Sequence, residues 1–207
     1  MNLTITQQDA LVELINIGFG RAAASLSRIT GHRVLLEVPQ VAIHPMSEVN
    51  AALGRVVHGD IATVHQVFSG PVAGDALLVL DTAGAALIKQ LLTDEMPLPL
   101  AMDASGQEVI TEVGNILLNA CLGMFGNLLK VQVSFSVPRL TLETLGMVLD
   151  SLTIEHEELR YALVVHAAFR LRDNSLSGYL VIMLGVSSLD RLLHAVEVWQ
   201  QDQGHVL

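Results

Sequence analysis

DALVELIN, residues 9–16, and EVITEVGN, residues 108–115, decide how this chain is read. Asp9, Glu13 and Asn16 in the first stretch stand 99 positions before Glu108, Glu112 and Asn115 in the second. In each case 22 residues follow the asparagine before a proline, Pro39 or Pro138, so the offset of 99 holds at four positions. Farther on, Val64-His-Gln-Val-Phe68 is echoed by Val165-His-Ala-Ala-Phe169 at offset 101, and Gly74 by Gly178 at offset 104. Self-similarity at a fixed separation is the mark of a repeated unit, and small drifts in the offset are insertions between matching segments.

Each half reads as helix, strands, then helix. Leu11, Leu14, Ile15, Ala22 and Leu26 have helical spacing and predict a helix over 6–29 that ends near Gly31. β-branched runs predict strands at 33–43, 55–68 and 75–81, and a closing helix fits 83–93. The second half repeats the scheme: a helix over 105–129, strands near 130–138, 144–154, 158–171 and 177–185, and a last helix over 187–203. The expected fold is α/β or α+β, with a continuous sheet and pseudo-two-fold symmetry. Residues 1–207 form a single domain of two repeats, about 6–93 and 105–203, joined by the proline-containing segment 94–104. Each half alone would bury little surface, so separate folding is not expected.

Residues at i, i+4 and i+7 share a helix face, so each motif makes one polar stripe. The second helix is otherwise almost wholly apolar, and no Lys or Arg occurs from Ser105 to Leu129. An acid-and-amide face without cations, occurring twice, points to chemistry or a partner. Asp9 and Glu108 also fit capping boxes, as Thr6-Gln-Gln-Asp9 and Ser105-Gly-Gln-Glu108, so capping and a site role stand as alternatives there. Pro39 and Pro138 fit strand edges, where a missing N–H does no harm. Gly18-Phe-Gly20-Arg-Ala-Ala23 matches a dinucleotide fingerprint only superficially, because it lies inside a helix. Its small residues, with Ala22 and Ala24, suit close approach by a neighbouring helix or a partner.

Composition narrows the function classes. The net charge is −10, from 11 Lys and Arg against 21 Asp and Glu, and aromatics are 4%. Such a chain lacks the basic surface and stacking platforms of nucleic-acid binders and is repelled by anionic membranes. The mean hydropathy of +0.51 makes a membrane span worth testing. The longest charge-free run, Val113–Leu129, has 17 residues and contains Asn115, Asn119 and Asn127, which are costly in hydrocarbon. It reads as a buried or partner-facing helix, and membrane insertion is not expected. The N-terminus has neither the basic start nor the apolar centre of a signal peptide, so a cytoplasmic location is expected. The single cysteine, Cys121, reads as a core residue. His65 and His166 read as core or ladder residues, and neither a metal-binding histidine pair nor a Cys-x5-Arg nucleophile motif occurs.

The pattern (Asp or Ser)-x3-Glu-x2-Asn-x22-Pro, twice in about 200 residues, resembles the CheC/CheX/FliY family of chemotaxis phosphatases. Asn16-Ile-Gly-Phe-Gly20 and Ser25-Leu-Ser27 resemble its first repeat, and Glu112-Val-Gly-Asn-Ile116 its second. Glu108 departs from the pattern, which has Asp or Ser at that place. Two sites in one chain resemble the CheC-like members rather than the CheX-like ones. The length favours CheC over FliY-like members with an added C-terminal module. The resemblance implies hydrolysis of the aspartyl phosphate on a CheY-like response regulator. Glu13 and Glu112 would pair with the partner's lysine, and Asn16 and Asn115 would hold the attacking water. Asp9, Glu108, Pro39 and Pro138 would be supporting residues. No cofactor would be bound by this chain, the divalent metal (Mg) residing on the regulator, and a CheD-like deamidase is a further implied partner. The rival expectation is a non-catalytic adaptor for a response regulator or a CheD-like protein. A small-molecule enzyme is disfavoured, because nothing in the sequence marks a concave pocket.

Overall fold

The computed structural model describes residues 3–31, 33–93, 103–155, 159–171 and 174–204. The expected connection, 94–104, falls mostly outside them. Fourteen elements follow one another among the described residues. The first half runs α1 (Ile5–Thr30), β1 (Val34–Leu36), β2 (Gln40–Pro45), α2 (Met46–Leu53), β3 (Asp60–Ser69), β4 (Gly74–Asp81) and α3 (Thr82–Thr93). The second runs α4 (Ala104–Leu129), β5 (Ser134–Phe135), β6 (Arg139–Thr144), α5 (Leu145–Glu155), β7 (Leu159–Leu171), β8 (Asn174–Gly185) and α6 (Val186–Gly204). The order helix, two strands, short helix, two strands, helix therefore occurs twice.

Helix α1 begins at a capping box in which Thr4 Oγ1 accepts from the Gln7 N–H at 3.1 Å and Gln7 Oε1 accepts from the Thr4 N–H at 2.9 Å. It ends at Gly31, whose φ of 67° is the left-handed conformation that glycine adopts without strain. Helix α4 is capped by Asp103, whose carboxylate accepts from the Gly106 N–H at 2.9 Å. Thr4 with Gln7, and Asp103, thus do the capping, and Asp9 and Glu108 do not. The two fingerprint-like glycines are tolerated inside α1 because tertiary burial outweighs their low helix propensity.

The segment expected to be a strand over 144–154 is instead α5. Its buried residues Leu145, Val148, Leu149 and Leu152 fall at i, i+3, i+4 and i+7, a helical period that places them all on one face of the sheet. The short helix α2 has no counterpart in the sequence reading, having only Val49 and Leu53 as fully buried anchors.

All eight strands form one antiparallel sheet in the order β1-β7-β8-β4-β3-β5, with β2 also on β7 and β6 also on β3. The first strands of each half therefore lie along the other half's sheet. At the centre, β4 pairs β8 with Leu77 opposite Val181, Gly74 opposite Leu184, and Leu80 opposite Gly178. Outward, Gln40 faces His166 as Arg139 faces His65.

Strand side chains alternate between two cores. Val64, Leu78, Leu80, Leu163, Val165 and Ile182 pack under α1, α3, α4 and α6. Ile61, Leu77, Val79, Val164, Val181 and Met183 pack under α2 and α5. A sheet covered on both faces needs strands apolar on both sides, which accounts for much of the chain's high hydropathy. Helix α4 is the one described helix long and apolar enough to cross a membrane, and 56% of its most apolar window is buried inside the protein. Cys121 lies in that buried part, and burial pushes its thiol pKa well up.

Two polar stripes as the candidate functional site

Helices α1 and α4 lie against each other antiparallel. Gly18 faces Ala120 and Cys121, where an added Cβ would come within 3.2 Å of backbone, and Leu14 shares a crevice with Met124 and Leu128. The close approach expected of the small residues is thus made at Gly18. Gly20, by contrast, has open space around it.

Each helix turns its stripe outward. Asp9, Glu13, Asn16, Glu108 and Glu112 are exposed, and Asn115 is half-buried. Buried neighbours Leu14 and Ile15, and likewise Val113 and Gly114, fix which side of each helix meets the core. Helix α1 is tied down by hydrogen bonds from Gln7 Nε2 to Glu197 Oε1 at 2.7 Å and from Gln8 Nε2 to the Val41 carbonyl at 3.3 Å. The side chains of Asp9, Glu13 and Asn16 make no hydrogen bond or ion pair with another described residue, so they are available to a partner.

The second stripe is internally linked. Asn115 Nδ2 donates to Glu112 Oε2 at 3.4 Å, and Asn119 Nδ2 donates to Asn115 Oδ1 at 2.7 Å. Glu108, Thr111 and Glu112 border a shallow cavity of about 440 Å³ with Leu140 of β6. Asn119 carries no role in the sequence reading, although its place four residues after Asn115 puts it on the same face.

The two prolines sit where the chain steps between paired short strands, Pro39 between β1 and β2 and Pro138 between β5 and β6. Pro39 is buried and Pro138 half-buried, each next to a strand end as expected. The residues before them, Val38 and Val137, are again 99 apart and are 71% and 83% exposed.

The histidines lie apart from the stripes. Half-buried His65 contacts Asp75, itself 2% exposed, at 2.6 Å, beside a cavity of about 180 Å³ bordered by Arg139, Glu143 and Ser151. At the matching place, the rings of His166 and Tyr179 lie 5.1 Å apart. The sheet's short-helix face also carries a groove of about 920 Å³ lined by Met46, Asn50, Asp150, Arg160 and Tyr161. The sequence shows no sign of it, since its walls come from segments far apart in the chain. Among the described residues, no group of three or more His, Cys, Asp or Glu is placed to hold a metal ion.

No known family profile matches the chain. It is similar to the CheY-P phosphatase CheC of Bacillus subtilis (strain 168), at 24% identity over 196 residues, which span 92% of this chain and 93% of that protein. It is also similar to the flagellar motor switch phosphatase FliY of the same organism, at 22% identity over 143 residues, 68% of this chain and 37% of FliY. The chain thus spans little more than a third of that relative. The crystal structure of Thermotoga maritima FliY superposes with a TM-score of 0.75 at 21% identity, covering 95% of this chain and 98% of that one. The FliM middle domain from H. pylori superposes with a TM-score of 0.67 at 11% identity, covering 93% of this chain and 99% of that one. The chain is thus similar to CheC in sequence along nearly its whole length and shares its fold with FliY.

Proposed function

We propose that the protein hydrolyses the aspartyl phosphate of a CheY-like response regulator in chemotaxis signalling, using the stripes on α1 and α4 as two sites. The observation that carries this reading is the outward Glu-x2-Asn pair on each helix, repeated at an offset of 99 and free of lysine and arginine. The similarity to a relative named as a CheY-P phosphatase supports it.

Glu13 and Glu112 pair with the regulator's lysine and set the docking register. Asn16 and Asn115 then hold a water in line with the departing aspartate oxygen. An amide suits that task because it donates and accepts while adding no charge beside an anionic phosphoryl group. Asp9, Glu108, Pro39 and Pro138 support the helix and loop beside each pair. The phosphoryl group and its divalent ion arrive with the regulator, so this chain needs no cofactor of its own. A net charge of −10 disfavours unguided docking on an acidic phosphorylated surface, which gives the Glu-to-lysine contact an orienting role. The reading places the protein in the cytoplasm, with a CheD-like deamidase as a further partner.

A second reading is an adaptor that binds without turnover. The shared fold with the FliM middle domain, also solved as part of a FliG–FliM complex from H. pylori, favours it (TM-score 0.63). Decay of radiolabelled phosphorylated regulator with substoichiometric protein separates the two. Wild type is expected to turn over many regulators, and the N16A/N115A double variant to lose on the order of 100-fold, the scale of a misplaced reactant. A double variant as fast as wild type would overturn the phosphatase mechanism. Binding without turnover by wild type would establish the adaptor.

A further inference from the structure

We infer that Asn119 is a positioning residue that pre-orients Asn115, so that the two sites are unequal and the second carries the faster chemistry; this rests on the phosphatase reading above. Asn119 sits one helical turn beyond Asn115 in a largely apolar helix, half-buried, and its Oδ1 is buried without a hydrogen-bond partner. A buried orphan acceptor is costly, and an alanine would remove that cost, so its retention asks for a compensating role. The role in view is the 2.7 Å hydrogen bond from Asn119 Nδ2 to Asn115 Oδ1.

That bond matters because the terminal torsion of an asparagine is broad and roughly two-fold, and leaves the amide free to turn over. With Oδ1 held from behind, the Asn115 amide plane is set and its Nδ2 is directed to the Glu112 side of the stripe, 3.4 Å from Oε2. The three side chains form a line, Asn119 to Asn115 to Glu112. In α1 the matching position, 99 residues earlier, is Gly20, and Asn16 has no hydrogen-bond partner among the described residues. Asn16 must therefore be ordered during docking, whereas Asn115 is ordered beforehand, and ordering beforehand raises turnover more than affinity.

Single-site chains test this by regulator dephosphorylation, with kcat and KM measured separately. N16A leaves only the second site and N115A only the first. The N16A chain is expected to have a kcat several-fold above that of the N115A chain. Adding N119A to N16A should lower kcat several-fold with KM little changed, and N119D, equal in size but without the donor, should do the same. Adding N119A to N115A should leave the rate unchanged, which a merely structural role would not allow. Gly20→Asn in the N115A chain should raise kcat, since an added Cβ there meets nothing within 4 Å. Equal losses in both backgrounds, or none in either, would overturn the inference. Should N119A fail to fold, the presence or absence of the G20N gain decides. Full activity of N16A/N115A would instead sink the underlying mechanism, a separate outcome.

Discussion

Gly114 lies between Glu112 and Asn115, and a Cβ built on it would come within 2.6 Å of the Val64 side chain on β3. The helix carrying the second stripe is thus seated on the sheet at a residue that cannot carry a side chain without moving it. Gly114→Ala is expected to cost about 1–3 kcal/mol, the usual penalty of overpacking, and to lower second-site turnover by shifting Asn115. Gly20→Ala, in open space on α1, should instead gain about 0.5–1 kcal/mol from helix propensity. Denaturant midpoints of the two variants check the pair, and equal effects would refute the seating role. At this scale the stripes were legible in the sequence, because spacing along a helix alone decides which side chains share a face. Asn119 and Gly114 were not, because their roles depend on what lies opposite them. The valines before the two prolines were within reach, having the same offset of 99, but only structure shows that they project.

Asp103 starts α4 with two contacts, its carboxylate accepting from the Gly106 N–H and pairing with Lys89 Nζ at 2.9 Å. The lysine contact first, and the backbone N–H second, hold its pKa below the ordinary aspartate value. A depressed carboxylate contributes stability that is present above its unfolded pKa, about 4, and is lost as pH falls through the lower folded value. Wild type should therefore melt above D103N, which keeps an acceptor but not the charge, at pH 7. The gap should close as pH falls below about 4 and shrink in high salt, since Asp103 is exposed. Melting temperatures across pH and salt check this, and a gap independent of pH would refute it. The true cap lies two residues before the Ser105 expected from the sequence, and on α1 Thr4 likewise precedes Thr6. Neighbouring cap candidates, Thr4 and Thr6 or Asp103 and Ser105, cannot be ranked from sequence when a helix end shifts by two residues. The long helices were readable because their apolar stripes repeat over several turns. Helix α5 was missed because eleven residues with three Leu and the β-branched Val148, Thr153 and Ile154 satisfy a strand's composition as well as a helix's period.

The sheet's exchange of strands sets how the whole molecule holds together. β2 spends its full length, Gln40–Pro45, on β7, and β6 spends Arg139–Thr144 on β3, so each half supplies the other's edge. Helix α1 also packs on α4 at Gly18, across the same divide. None of this was legible beyond the equality of the halves, because β2 and β6 lie over 70 residues from their partners β7 and β3 and local pattern carries no pairing information. A fragment of residues 1–93 would leave β3 without β6, β2 without β7 and the inner edge of β4 without β8. Those vacancies match one another: the β2 of a second copy fits the place of β6, because Gln40 faces His166 just as Arg139 faces His65. The fragment should therefore be unfolded as a monomer and, where it folds, do so as a symmetric dimer across β4. Mixing it with 103–207 should restore a 1:1 complex with two stripes, since the native pairing at Leu77 and Val181 is then regained. Sedimentation and thermal melts at several concentrations check this. A fragment that melts cooperatively as a monomer, at a midpoint independent of concentration, would refute the interdependence of the halves.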